Sequence, residues 1–410
     1  MFKYSNIRCL LVLFIVLAVS PQSGFSSDDR DTLGGPESVS EQADFQHSEA
    51  FMSDYRLFPE YSDWKAGLKE KHGLSYGFGA WFLPQLADDS PTEEDSALSA
   101  VYRFSSTLDV GRGWRNPGKI ELRIENRSAL GSNISATDLS SELGISALNP
   151  GFIYSDNFDW DYSVLNWTQI FRDQRLGYAI GRLAFDAYQD TYYGQTISGN
   201  LLNRAFIVNP AIATAGVGAL GAVVKGFVSD HVWLGGQIFD ANAQNGEFDS
   251  DTVREGEWLK SFEIGWTPES SRFKSDRYML TWWQKDERTE AGVPKGEGWA
   301  FTAARSINSQ LNGFLRYGHS DGGAGVAARN AASMGFQYFP RKSQSLSVGV
   351  GWAEPSDRTL RDEYVVEAGY KMAVTPQLSV MPDLQVVFDP AENPAEDSIW
   401  LFSLRTILTF

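Results

Sequence analysis

Arg123, Glu125 and Arg127 stand two residues apart, with Ile124 and Asn126 set between them and Leu122 just before. A period of two places such side chains on one face of a β-strand. Three charges of alternating sign on one face set up a transverse field and a row of hydrogen-bond donors and acceptors. That chemistry grips a polar molecule weakly; it makes and breaks no bonds. By the parity of their own segments, Arg103, Lys225, Glu263, Trp283, Arg316, Asp383 and Arg405 share this polar face, as do Glu121, Lys285, Glu367 and Gln385. The competing role is structural, because inward charges of opposite sign also brace one another. Arg182 shares the parity of Leu176, Tyr178 and Ile180, so a bulge or a membrane rim is needed to place it.

Other chemistries lack their parts. Gly216-x-Gly218-x-x-Gly221 with Asp240 about twenty residues on has the form of a dinucleotide fingerprint. The fingerprint needs a helix after its glycines, whereas Val223, Val224, Phe227 and Val228 continue a β-branched run. Glycines in a strand against which another backbone packs closely explain it better. His47, His72, His231 and His319 do not fall at metal-ligand spacing, and no Gly-x-Ser-x-Gly elbow occurs. Asp156, Asp159 and Asp161 could form a carboxylate pair, but spacing alone reads as an acidic external loop. No catalytic residue, cofactor or metal is expected.

The elements that position the charged row alternate throughout. Sixteen segments bounded by Gly, Pro, Asn, Asp or Ser fall at about 74–83, 98–109, 118–128, 161–171, 175–184, 217–228, 231–240 and 258–267, then 276–285, 298–306, 310–318, 331–339, 343–352, 362–372, 377–388 and 398–410. Long connections (84–97, 129–160, 185–216) alternate with short ones such as Ser229-Asp230, Ile307-Asn308-Ser309 and Pro340-Arg341-Lys342. This implies an all-β fold, a transmembrane antiparallel up-and-down β-barrel of about 16 strands, with short periplasmic turns and long extracellular loops. Tyr76, Phe104, Trp266, Trp282, Tyr338, Trp400 and Phe410 share the apolar parity and would face lipid, while the other parity carries charges and glycines suited to a water-filled lumen. Loop 129–160 could fold inward and narrow it. Phe410 closes the last alternating run, at the rim where the final strand must pair with the first.

The first 20 residues, with Lys3, Arg8 and an apolar stretch from Cys9 to Val19, have the form of a secretory signal peptide, and residues 1–26 are assigned to it. Cys9 is the only cysteine of the chain, so the exported portion carries no disulfide. Residues 27–62 are expected to be an acidic, partly disordered extension, since 27–63 hold ten acidic against two basic residues. The net charge of −17 argues against nucleic acid as a partner. Residues 63–410 are assigned to the barrel with a short N-terminal helix.

Several stretches resemble the carbohydrate-selective porin (OprB) family of Gram-negative outer membranes. Asp63-Trp64 and the Leu/Gly pattern through Phe78 are similar to the family's start, and 176–188 with 201–210 to a strand ending in Gly-Arg and its following loop. Residues 374–390, including Pro382-Asp383-Leu384-Gln385, resemble its penultimate hairpin, and 398–410 its closing strand. The resemblance implies an outer-membrane porin, not an enzyme, passing sugars or other small hydrophilic solutes by passive diffusion through a constriction lined by charged and aromatic side chains. Arg123, Glu125 and Arg127 are the leading candidates for that lining. It also implies contact with lipid, recognition of Phe410 by the barrel assembly machinery, and a homotrimer or a monomer. A general porin, a barrel enzyme and a plugged structural barrel are the alternatives.

Overall fold

The computed structural model describes residues 33–43, 50–55, 59–131, 133–154, 157–171, 175–199, 201–246, 250–269 and 276–410. The expected signal peptide lies outside them. The strands are β1 (Leu74–Ala87), β2 (Ser96–Val110), β3 (Gly118–Ala129), β4 (Phe158–Ile170), β5 (Leu176–Leu183), β6 (Ala219–Phe227), β7 (Val232–Asp240) and β8 (Trp258–Trp266). They continue with β9 (Arg277–Lys285), β10 (Gly296–Asn308), β11 (Leu311–Ser320), β12 (Ala328–Arg341), β13 (Gln344–Pro355), β14 (Glu363–Ala373), β15 (Leu378–Phe388) and β16 (Ser398–Thr409). Each pairs antiparallel with its sequence neighbours, and β1 pairs with β16 to close the barrel. Closure removes the two edges that an open sheet of this size would expose. Backbone bonds in both directions between Phe78 and Phe410 extend the seam to the last residue.

The pleat sorts the side chains. On β16, Phe402 and Leu404 are 52% and 48% exposed on the outer face, while Ser403 and Arg405 on the inner face are 7% and 1% exposed. This is inverted relative to a water-soluble domain, and it suits a lipid exterior. Among the described residues no helix is long and apolar enough to cross a membrane. One irregularity re-aims a residue. Gly181 adopts φ 135°, a conformation closed to most side chains, and turns Arg182 from the outer parity to the inside. The sequence left that residue ambiguous.

Three segments fold into the barrel and carry its apolar core there. The first, described over 133–154, contains α3 (Ala136–Glu142), capped by a reciprocal Ser135–Asp138 box. The second, 184–218, contains α4 (Arg204–Ile207), capped by Asn203. Leu139, Leu143 and Leu148 of the first meet Ala205 and Phe206 of the second and Val365 and Leu401 of the wall. Each such large apolar side chain contributes about 1.5–3 kcal/mol of burial. The third segment, 33–43, ends in α1 (Val39–Ala43), and it corrects an expectation. Leu33, Glu37, Val39 and Ala43 are buried inside, where a solvated acidic extension was anticipated. The cause is local: guanidiniums on the wall receive its acid, and Val39 packs on Val164 and Ala184. Farther on, α2 (Pro59–His72) sits at the rim of short turns, where Tyr61 and Trp64 pack edge-on against Tyr76 and the Lys65 ammonium donates to the Phe410 carbonyl.

Candidate functional site

β2 and β3 pair so that Arg103 lies opposite Glu125 and Ser105 opposite Arg123. Glu125 therefore becomes the hub of the ladder. Its Oε2 accepts from Arg103 Nε at 2.6 Å and lies 3.4 Å from Arg123 Nε, while Oε1 accepts from Arg127 Nε at 2.5 Å. Arg123 Nε also donates to Ser163 Oγ on β4 at 2.9 Å. Glu37, from the inserted N-terminal segment, adds a second carboxylate. Its Oε2 stands 2.8 Å from Arg103 Nη1 and 4.0 Å from Arg123 Nη1, and its Oε1 accepts the Ile197 amide at 2.6 Å. Burial alone would raise the Glu37 carboxyl; Arg103, Arg123 and the Ile197 amide outweigh it and hold the group below the ordinary carboxylate value.

Across the lumen the charges serve a different purpose, as fasteners for backbone. Glu363 of β14 accepts the amides of Ser146, Ala147, Leu148 and Ala391 at 2.7 to 3.0 Å. Glu367 accepts those of Leu202 and Asn203. On β8, Glu263 accepts the Asp190 amide at 2.6 Å and pairs with Lys225 of β6 at 2.8 Å. Asp190, held at φ 49°, binds Arg316 of β11 at 2.5 Å and Thr302 at 2.7 Å. A non-glycine residue in that region is strained, and here three partners, Glu263, Arg316 and Thr302, enforce it. Arg405 donates to the carbonyls of Ile197 and Gly199, and Gln385 beside Asp383 donates to that of Pro150. A buried carbonyl or amide without such a partner would cost about 1–3 kcal/mol.

All ten residues singled out in the sequence sit on the inner face and are buried: Arg103, Arg123, Glu125, Arg127, Lys225, Glu263, Trp283, Arg316, Asp383 and Arg405. They do not form one cluster. Arg103, Arg123, Glu125 and Arg127 are in mutual contact; Lys225 pairs with Glu263, Arg316 reaches the inserted loop at Asp190 and Thr302 of the neighbouring strand, and Trp283 packs in the apolar interior. Covering by inserted segments, rather than open water, surrounds most of them. Asp161, read as part of an acidic external loop, instead lies in the wall, bidentate to Arg182 at 2.7 and 2.9 Å. Asp156 is outside the described residues. The glycine pattern at 216–221 belongs to a turn and a strand: Gly218 has φ 90° and its carbonyl accepts Arg182 Nε at 2.6 Å, leaving no room for a side chain. Sequence reasoning missed Glu37, Asp190 and the Ile197 amide. The run Leu201-Leu202-Asn203-Arg204-Ala205-Phe206-Ile207-Val208, too apolar for a solvated loop, was the available signal for the second insertion. At the short-turn end of the lumen a cavity of about 200 Å³ remains, bounded by Glu41, Trp81, Arg103, Thr196, Ser198 and Lys371.

Comparison with known proteins gives the arrangement its place. Residues 100–410 match the carbohydrate-selective porin, OprB family. Porin AaxA of Chlamydia caviae is 23% identical over 346 residues, covering 79% of this chain and 73% of that protein. Porin AaxA of Chlamydia abortus is 22% identical over 253 residues, or 59% of this chain and 56% of that one. The high-pH structure of Pseudomonas putida OprB superposes with a TM-score of 0.68 at 16% identity, covering 88% of this chain and all of the other. The low-pH structure of the same protein gives 0.53 at 14% identity. At these identities the structures speak for the fold, while the family match spans most of the barrel. The chain is an outer-membrane porin of the carbohydrate-selective (OprB) family.

Proposed function

We propose that this porin admits small carbohydrates by passive diffusion, and that the ladder of Arg103, Arg123, Glu125 and Arg127 is where a passing sugar exchanges water for protein. The observation that carries this reading is the mixed-sign ladder on the inner face beside a cavity bounded by Trp81. Sugar hydroxyls both donate and accept, so acids and guanidiniums suit them together, and an indole suits the apolar face of a pyranose. The grip must stay weak for the solute to leave. Arg103 already stacks over Trp81, with its guanidinium carbon 5.5 Å from the ring centre, so that the charged and apolar parts are held together. A channel of this kind acts on its solute without turnover, which supports a transport role over catalysis.

Liposome swelling tests the reading. Glucose should enter faster than a neutral amino acid of similar size; equal rates would make this a general porin. The same reading gives Phe410 a role in assembly, through the exposed apolar face of β16 and the seam it closes with Phe78. Deleting Phe410 should abolish heat-modifiable barrel in the outer membrane while leaving synthesis unchanged, and normal heat-modifiable protein would remove that role.

A further inference from the structure

Glu37 is placed as a ligand would be. Its carboxylate is not part of the wall; it is carried by the inserted segment 33–43, and both of its oxygens are engaged. One faces the guanidiniums of Arg103 and Arg123, and the other takes the Ile197 amide. Arg103, Arg123 and Arg127 meet only two carboxylates at ion-pair distance here, Glu125 of the wall and Glu37 of the inserted segment, and the Asp186 carboxyl beside them is pushed up by burial. Uncompensated, two buried cations on neighbouring strands repel each other, which makes the position a standing demand for an anion.

The surroundings say what kind of anion. The cavity of about 200 Å³ shares Arg103 with this cradle and adds the hydroxyls of Ser105, Thr196 and Ser198, the Trp81 ring, the Lys371 ammonium and the Glu41 carboxylate, which can accept from a sugar hydroxyl. Trp81 Nε1 donates to Ser198 Oγ at 3.2 Å, fixing the ring. A simple carboxylate would use the cradle and leave the cavity empty. A sugar ring bearing a carboxylate fills both, with its hydroxyls on the cavity's polar groups and its apolar face toward the indole.

We propose that Arg103, Arg123 and the Ile197 amide form a carboxylate site for sugar acids of the hexuronate class, which Glu37 occupies as a tethered occupant until such a solute displaces it. This rests on the porin reading above and names a solute class for part of the same ladder. Besides the Glu37 carboxylate, the segment is held by the Gly35 amide on the Ala187 carbonyl at 2.7 Å, Ser40 Oγ on Glu121 at 2.7 Å, Arg123 Nη1 on the Glu37 carbonyl at 3.4 Å and the packing of Val39 on Val164 and Ala184. What a solute displaces is therefore the carboxylate, with a local shift of its neighbours. A tethered occupant competes at an effective concentration of the order of millimolar, so weak binding by the free solute is preserved.

Two measurements on the full-length protein decide it. In planar bilayers, Glu37→Gln should lower the sodium glucuronate concentration that half-blocks the current about tenfold, because the tethered competitor is gone. The half-blocking concentration of glucose should move less than about twofold. Equal shifts for both solutes, or none for either, would overturn the site. If the variant does not assemble, Ser38→Cys in an otherwise native chain carries the test. Its thiol should be shielded from a charged thiosulfonate at rest and labelled about threefold faster or more in glucuronate but not in glucose, as expected if the solute displaces the carboxylate and shifts its neighbours. Unchanged labelling in glucuronate would overturn displacement. Failure of glucose to block any variant, with glucuronate block intact, would refute the neutral-sugar reading and leave this site standing.

Discussion

The N-terminal segment and the loop of residues 184–218 both lie inside the barrel, yet they are attached by opposite means. The loop is fastened through its backbone along its whole length. Wall side chains take or give at Tyr188, Asp190, Thr191, Ile197, Ser198, Gly199, Leu202, Asn203, Ala205 and Thr214. The N-terminal segment is held chiefly through side chains, with Glu37 on Arg103 and Arg123, Ser40 on Glu121 and Val39 on Val164 and Ala184. A backbone held at many points leaves only by unfolding the interior, whereas a side chain leaves its partner when that partner is satisfied elsewhere. The difference separates a permanent constriction from a removable one.

The largest effect should come from loosening the loop. Arg316→Met leaves Asp190 buried without its cation, and breaking a buried pair from one side costs about 3–5 kcal/mol. A fall in the urea midpoint of the heat-modifiable barrel is the expected result; an unchanged midpoint would mean the loop is not held here. Glu363→Gln keeps the shape but lets one oxygen stand where two accepted four amides, so about 2 kcal/mol should be lost by the same measurement.

Acid should act on the other region. Because Glu37 has its carboxyl held below the ordinary value, its contribution is present above that value and fades as pH falls through the lower, folded one. Shielding of a thiol at position 38 should therefore persist at about pH 6 and weaken only below the reference value of 4.5. Loss of shielding on going to alkaline pH would contradict the sign. The smallest effect belongs to the exposed Arg175–Asp230 pair at 2.5 Å on the short-turn rim, where Arg175→Ala should change the midpoint by no more than about 0.5 kcal/mol.

The wall was legible in the sequence because a membrane barrel obeys one rule without relief: every residue of a strand faces lipid or lumen, and the period of two is written in side-chain polarity. Strand ends agree with the structure to within about three residues except at β1 (Leu74–Ala87), which runs on through Pro84 to Leu86 and Ala87 because a proline in the sequence reads as its end. Arg182 resisted only because a glycine with positive φ breaks the period before it. The inner site was half legible. Parity put the ten wall residues inside, but no periodicity marks a loop that folds inward, so the partners of those residues stayed hidden. Glu37 is the clearest case. In composition it is one acid among ten in an acidic stretch, and only the facing guanidiniums distinguish it.

Planar-bilayer conductance of the purified full-length porin, titrated with glucose, bears most directly on a sugar pathway through this barrel. Stepwise channels whose current falls with rising glucose, and falls less when Arg123→Ala breaks the ladder, are the predicted outcome. Channels indifferent to glucose at every concentration would contradict it.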